Sequence, residues 1–173
     1  MRGLPGSGKS TEAKKWAAMV PGAVIVSADH YMFGEGREFQ LSRLQECHDL
    51  CFKAFEEALK NKTPLVIVDN TNTKFSDVVQ YTNLCTHYGY AHTVLQIHVT
   101  LKVAFERNIH GVPLETLKLF AQRMWSDRMP TTWDVWNKGT PWNPNQDQVP
   151  RRQKPHREYP QIDHRKANGR SGL

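Results

Sequence analysis

The chain has 173 residues and a mass of 19.9 kDa, which is the usual size of one domain. It contains no run of about eighteen apolar residues, so the sequence predicts no membrane span, and residues 1–10 lack the apolar segment of a signal peptide. Its three cysteines, Cys47, Cys51 and Cys85, are too few for a disulfide scaffold, and their odd number is typical of a reducing cytoplasm. We therefore expect a cytoplasmic protein without a membrane partner.

The charge is distributed unevenly along the chain. Residues 139–173 contain seven Lys or Arg and three Asp or Glu, so they carry +4 of the net charge of +6. Half of the ten prolines also lie there. The sequence thus predicts a globular domain over residues 1–138 and a flexible, basic, proline-rich tail over 139–173. Such a tail could contact a nucleic acid backbone or remain solvated, and the two are compatible.

Hydrophobic periodicity predicts alternating strands and helices. Short apolar, β-branched runs predict buried strands at residues 23–27, 65–69 and 93–99. Apolar residues at helical spacing predict helices over residues 9–19, 41–59, 78–88, 101–108 and 113–124. Residues 34–40 are predicted to form a glycine-containing loop, and the periodicity fades after Pro130. This alternation predicts an α/β layer fold with a parallel sheet.

A phosphate-binding motif stands at the start of the chain. Residues 3–10 (GLPGSGKS) match G-x-x-x-x-G-K-[ST] at every fixed position. Glycines let backbone N–H groups converge on phosphate oxygens, and the following helix adds the positive end of its dipole. Lys9 is expected to contact the β- and γ-phosphates, and Ser10 to offer a hydroxyl to Mg²⁺. The predicted nucleotide-binding residues are Gly3, Leu4, Pro5, Gly6, Ser7, Gly8, Lys9, Ser10 and Thr11.

The first strand is unusually short in the sequence. A phosphate loop normally follows the central strand, yet only Met1 and Arg2 precede Gly3. Two explanations stay open: the true start lies upstream, or the sheet contains a very short central strand.

Two carboxylates follow predicted strands. In open α/β sheets, ligands bind at the carboxyl ends of the strands. Asp29, just past strand 23–27, could accept a proton from an attacking hydroxyl or serve as a helix N-cap. Asp69, at the end of strand 65–69, could hold Mg²⁺ or form a capping and turn cluster with the polar residues 70–72.

Basic side chains could neutralise charge on a transferring phosphate. Arg107 and Arg123 are the candidates, and the alternative for each is a solvated helix face. Residues 107–112 leave one predicted helix, turn at Gly111 and enter the next helix at Pro113, which is the form of a mobile lid.

Four segments together resemble the polynucleotide-kinase-like P-loop kinases. This AAA-type, zeta-toxin-like group includes phage polynucleotide 5'-kinase and the kinase-like domains of the Nedd-binding proteins. The matching segments are RGLPGSGKST at 2–11, SADHY at 27–31, IVDNTNT at 67–73 and ERNIHGV at 106–112. The resemblance extends from residue 1 to about 130, and the last three segments are more specific than the first.

The resemblance implies a three-layer α/β P-loop fold with a mostly parallel sheet and a helical lid. It also implies transfer of the γ-phosphate of ATP to a hydroxyl. By this resemblance the catalytic residues are Asp29, Lys9 and Arg107, the acceptor-binding residues are Asp69 and Asn72, and the metal ligands are Ser10 and Asp69.

Three positions depart from the family pattern. His30 stands where many members have a second acidic residue, and Met32 and His110 lie close to positions where the phage enzyme has arginines. A second acceptor therefore stays open, the hydroxymethyl group of a DNA base such as 5-hydroxymethyluracil in phage DNA. An internal base would need extrusion from the stack. The tryptophans at 125, 133, 136 and 142 could stack on it or anchor a C-terminal segment to the core.

The predicted function is an ATP- and Mg²⁺-dependent kinase that acts on a hydroxyl of DNA or RNA. The alternatives are a kinase for a small metabolite or nucleoside and a non-catalytic ATP-binding module. The sequence leaves the oligomeric state open.

Overall fold

The computed structural model of the protein describes residues 1–144. Most of the predicted tail, residues 145–173, lies outside the described residues, so the tail remains a prediction. Within residues 1–144, no helix is both long and apolar enough to cross a membrane.

Strands and helices alternate along the described chain. The strands are β1 (Arg2–Gly3), β2 (Val24–Val26), β3 (Val66–Val68), β4 (Val94–Ile97) and β5 (Val135–Lys138). The α-helices are α1 (Lys9–Met19), α2 (Ala28–Phe33), α3 (Leu44–Lys60), α4 (Phe75–His87), α5 (Leu101–Arg107) and α6 (Leu114–Ser126). Short 3₁₀ turns cover Gly34–Gly36 and Leu41–Arg43.

All strand pairs are parallel. β4 lies between β1 and β5, and β2 pairs with β3. The Met1 amino group donates to the Val68 carbonyl over 2.9 Å, and the Gly3 N–H donates to the Thr71 carbonyl over 3.0 Å. These bonds place β1 beside β3, so the spatial order is β2-β3-β1-β4-β5. The predicted α/β fold with a parallel sheet is confirmed.

The central strand β1 consists of Arg2 and Gly3. A cavity of about 330 Å³ lies beside its start, lined by Val66 and Val68 of β3 and by Val94 and Leu95 of β4.

Three apolar clusters hold the layers together. The largest joins α2, α3 and α4 to β2 and β3 around Cys51, Phe55 and Tyr81. A second joins α5 and α6 to Leu4, so the start of the phosphate loop is anchored in this core. The third lies around Val94. Burial of these side chains removes apolar surface from water, which is the main force that positions the loop.

Two elements differ from the sequence prediction. α2 has six residues, too few to show helical periodicity, and it starts at the Ser27 cap. β5 lies at the edge of its sheet, and its four residues are mostly exposed, so it lacks the apolar run of a buried strand. Edge strands carry such polar sequences.

The tryptophans pack against the folded body. The Trp142 side chain contacts the Leu4 cluster, and Trp133 packs against the Val94 cluster. Trp136 lies 5.8 Å from Trp16, measured between ring centroids. These contacts support the interpretation that the tryptophans anchor the C-terminal part of the domain.

Candidate phosphate and acceptor site

The phosphate loop connects β1 to α1. Its last residue, Gly8, is the N-cap of α1 and has φ 94°. Because no side chain caps this helix, the N–H groups of its first turn are available to a ligand. A helix N-terminus with free amides attracts anions. The local geometry therefore suits a phosphate group.

Lys9 is held inside the loop. Its side chain is buried, and its Nζ donates to the Leu4 carbonyl over 2.9 Å. Burial lowers the pKa of the Lys9 ammonium, while the negative charges of Asp69 and Asp29 oppose that shift. A buried cation with one backbone acceptor is well placed to exchange that contact for a phosphate oxygen.

Two glycines of the loop differ in their surroundings. Both Gly6 (φ 77°) and Gly8 (φ 94°) adopt left-handed backbone angles. A Cβ on Gly6 would lie within 2.2 Å of the Ala104 carbonyl oxygen in α5, whereas a Cβ on Gly8 would meet no atom within 4 Å. Gly6 thus permits close packing of the loop on α5, and Gly8 borders open space.

This difference predicts unequal effects of two matched substitutions. Gly6→Ala should lower the free energy of unfolding by about 2–4 kcal/mol, because backbone strain adds to a steric clash. Gly8→Ala should lower the free energy of unfolding by only about 1 kcal/mol, because backbone strain is its only cost. Urea denaturation of both variants measures the difference. Equal losses would contradict the assigned packing of Gly6 against α5.

Asp29 lies in the first turn of α2. Ser27 is the N-cap of this helix, and its Oγ accepts a hydrogen bond from the Asp29 N–H over 3.2 Å. The N-cap interpretation of Asp29 is therefore wrong. Its side chain is 62% exposed, and Oδ2 lies 3.7 Å from His110 Nε2. The carboxylate is free to contact a ligand.

Asp69 follows β3 and is buried. Its Oδ1 has no hydrogen-bond partner within residues 1–144, which is costly for a buried polar atom unless a ligand completes the site. The neighbouring Asn70 has a structural role, since its Oδ1 accepts from the Ala28 N–H over 2.9 Å. This bond ties the end of β3 to the start of α2.

Asn72 lies apart from the phosphate loop cavity. Its Nδ2 donates to the Met1 carbonyl over 2.8 Å, and its side chain borders the 330 Å³ cavity. Its backbone carbonyl accepts from Nε of Arg2. Asn72 therefore does not line the cavity that contains Asp29.

The predicted lid is the α5–α6 loop, residues 108–113. Asn108 Nδ2 donates to the Val112 carbonyl over 2.7 Å and closes the loop on itself. Arg107 lies at the end of α5, is exposed and borders the same cavity as the phosphate loop. Arg123 instead lies on α6 with its guanidinium 5.7 Å from the Phe120 ring centroid. Of the two candidate arginines, the structure brings only Arg107 to the site.

One cavity of about 740 Å³ joins these groups. Its volume is within the range of small-molecule sites, about 300–1,000 Å³. The predicted residues that line it are Pro5, Gly6, Gly8, Lys9, Ser10, Thr11, Asp29, Asp69 and Arg107. Phosphate loop, carboxylates and lid arginine therefore open onto one space.

Sequence prediction missed the aromatic wall of this cavity. Phe33, Phe39 and His110 line it together with the polar groups. The available signal was two phenylalanines that flank the glycine-containing segment soon after Asp29.

A family model described as an AAA domain matches residues 1–110. The chain belongs to this AAA domain family. It is 33% identical over 122 residues to human NEDD4-binding protein 2. The match covers 68% of the chain but 7% of that relative. The resemblance to polynucleotide-kinase-like P-loop proteins is confirmed, and the chain is a P-loop kinase-like AAA domain.

Solved structures share the fold of this AAA domain. A chain of the Pnkp1/Rnl/Hen1 RNA repair complex superimposes with a TM-score of 0.60 at 19% identity, covering 72% of this chain and 42% of that one. The APS kinase CysC of Mycobacterium tuberculosis, in complex with AMPPNP and APS, gives a TM-score of 0.50 at 18% identity. That match covers 78% of this chain and 83% of the kinase.

Proposed function

We propose that the protein is an ATP-dependent kinase that transfers the γ-phosphate to a hydroxyl of a nucleic acid. One observation carries the proposal: the exposed Asp29 carboxylate and the phosphate loop open onto the same 740 Å³ cavity. A phosphoryl donor and a proton acceptor thus border one space.

The loop residues hold the donor. Backbone N–H groups at the start of α1 and the Lys9 ammonium contact the phosphates of ATP, with Lys9 giving up its bond to the Leu4 carbonyl. Binding in this position restrains the γ-phosphate and offsets its negative charge. The remaining loop residues, from Gly3 to Thr11, shape the cradle.

Ser10 and Asp69 fit as holders of Mg²⁺. Ser10 is exposed at the start of α1, and Asp69 Oδ1 is buried without a hydrogen-bond partner among the described residues. Oxygen donors of this kind suit Mg²⁺, which commonly combines one or two protein ligands with phosphate and water. When bound, the ion neutralises charge on the phosphates.

Asp29 activates the acceptor. Its carboxylate takes the proton from the hydroxyl as the hydroxyl oxygen bonds to the γ-phosphorus. The bond from that phosphorus to the β–γ bridging oxygen breaks, and ADP leaves with its electron pair. Arg107 stabilises the charge on the transferring group from the lid side of the cavity.

A nucleic acid is the acceptor class that the sequence favours. The net charge of +6 attracts a polyanion, and the four motif segments resemble polynucleotide-kinase-like proteins. The acceptor hydroxyl is a 5' end of DNA or RNA or a base hydroxymethyl group, since both are primary alcohols.

Transfer of label from γ-labelled ATP in the presence of Mg²⁺ tests the function. Three acceptors are offered in parallel: 5'-hydroxyl oligonucleotides, DNA containing hydroxymethyluracil, and a nucleoside pool. We expect label on one of the two nucleic acids, located by nuclease digestion to an end or to a base. Lys9→Met is the control for donor binding and should abolish the label.

Other outcomes would overturn the proposal in different ways. Label on free nucleosides alone would indicate a metabolite kinase. ATP binding without transfer to any acceptor would support a non-catalytic module.

A further inference from the structure

Three aromatic rings form a row along one wall of the 740 Å³ cavity. The His110 ring stacks on Phe33, with centroids 4.4 Å apart and an angle of 12° between the planes. The Phe39 ring also lies next to Phe33, with centroids 6.4 Å apart and an angle of 32° between the planes. We call Phe33, Phe39 and His110 the aromatic wall.

The aromatic wall is joined directly to the proposed proton acceptor. His110 Nε2 lies 3.7 Å from Asp29 Oδ2, and Asp29 and Phe33 share the six-residue helix α2. All three rings border the same cavity as Lys9 and Ser10. A planar group on this wall would therefore lie beside the carboxylate and in the same cavity as the phosphate loop.

Phe39 has a free surface. Its side chain is 55% exposed, although it lies in a polar segment that includes the exposed Arg37–Glu35 ion pair. Neighbouring side chains in the cavity are also apolar, with Met32 buried and Leu44 37% exposed. Solvent-exposed apolar side chains that line a cavity beside converging polar groups are typical of ligand sites.

We propose that the aromatic wall is the acceptor subsite and that it binds a nucleobase by stacking on Phe39. The inference rests on the proposed function, because it assigns the acceptor side of that reaction to a base-bearing substrate. Stacking is sequence-tolerant, since every base has a π-face. The subsite would hold the base while the hydroxyl of the same nucleotide, or of the base itself, reaches Asp29.

The tryptophans are less suitable for this role. Trp133 and Trp142 are packed against apolar clusters of the body, and Trp136 lies against Trp16. None of the four tryptophans considered above lines the 740 Å³ cavity. The aromatic wall instead lines the cavity, and its His110 ring lies beside Asp29.

Oligonucleotide binding, measured in the absence of ATP, tests the subsite independently of catalysis. The probe is a 5'-hydroxyl decanucleotide with 2-aminopurine as its first residue, compared with the same strand carrying an abasic first residue. We expect stacking to quench 2-aminopurine fluorescence and to make the first strand bind about 10-fold more tightly than the abasic strand. Phe39→Ala should remove that difference, and Phe39→Trp should retain it.

Phe105→Ala is the matched control. Phe105 is 40% exposed on α5 and does not border the cavity, so its removal should leave base binding unchanged. Because Phe39 is exposed, the melting temperature of Phe39→Ala should match that of the wild type. Equal affinity for the two strands, or an unchanged difference in Phe39→Ala, would overturn the subsite.

The two proposals fail separately. Equal affinity of the wild-type protein for the 2-aminopurine and abasic strands, with phosphoryl transfer intact, would reject the aromatic subsite and keep the kinase. Retained base binding without transfer to any acceptor would reject the kinase and keep a base-binding site.

Discussion

Asp29→Asn is expected to lower kcat for phosphoryl transfer by about 10²- to 10⁴-fold, the usual contribution of a general base. Asparagine has nearly the same shape as aspartate and can occupy the first turn of α2, but it cannot take a proton. The Asp29 side chain is mostly exposed, so the substitution leaves no buried group unpaired. Affinity for a non-hydrolysable ATP analogue should stay within about twofold, because the loop and Lys9 are unchanged.

The control for this variant is Asp49→Asn. Asp49 is an exposed carboxylate on α3 that accepts a hydrogen bond from Gln45, away from the cavity. The Asp49→Asn variant should transfer phosphate at the wild-type rate. Turnover that survives in Asp29→Asn would show that Asp29 is not the base. A parallel loss of ATP-analogue binding would instead indicate that the substitution disturbs the donor side.

Arg2→Met is expected to destabilise the fold by about 3–5 kcal/mol. The Arg2 side chain is 1% exposed and donates to the carbonyls of Asn72, Thr73 and Asp127 and to Oε1 of Gln96. Burial lowers the pKa of the Arg2 guanidinium, while the charges of Asp127 and Asp77 oppose that shift. Methionine fills a similar volume but leaves the two fully buried acceptors, the carbonyls of Asn72 and Thr73, unsatisfied at about 1–3 kcal/mol each.

The expected loss corresponds to a decrease of about 10 °C in melting temperature for a chain of this size. Arg2→Lys should recover only part of the stability, because an ammonium cannot reproduce the planar fork of the guanidinium. Arg37→Met is the matched control. Arg37 forms an exposed ion pair with Glu35, so its removal should change stability by less than about 1 kcal/mol. A melting temperature of Arg2→Met equal to that of Arg37→Met would contradict the role assigned to Arg2.

Arg2 also connects stability to the proposed function. It directly precedes Gly3, and its hydrogen bonds join β1 to β4, to the segment after β3 and to the end of α6. These bonds hold the start of the phosphate loop where the short β1 strand alone would offer few contacts. Nothing in the sequence marks Arg2 for this role, since its partners are 70 to 125 positions away.

Sequence alone determined the parts that depend on local pattern. The G-x-x-x-x-G-K-[ST] spacing located the phosphate loop, and apolar runs located β2, β3 and β4. The same periodicity placed α1, α3, α4, α5 and α6 to within a few residues. These features follow from backbone freedom and burial within about one turn or strand of the chain, so a local pattern is sufficient.

Tertiary structure decided which side chains meet. Asp29 and Asn72 both follow predicted strands, yet Asp29 opens onto the loop cavity while Asn72 bonds to the Met1 backbone. The aromatic wall joins Phe33 and Phe39 to His110, and the Arg2 cluster joins the first residues to the end of α6. Such contacts depend on strand order and on the packing of distant helices, and no local pattern encodes either of them.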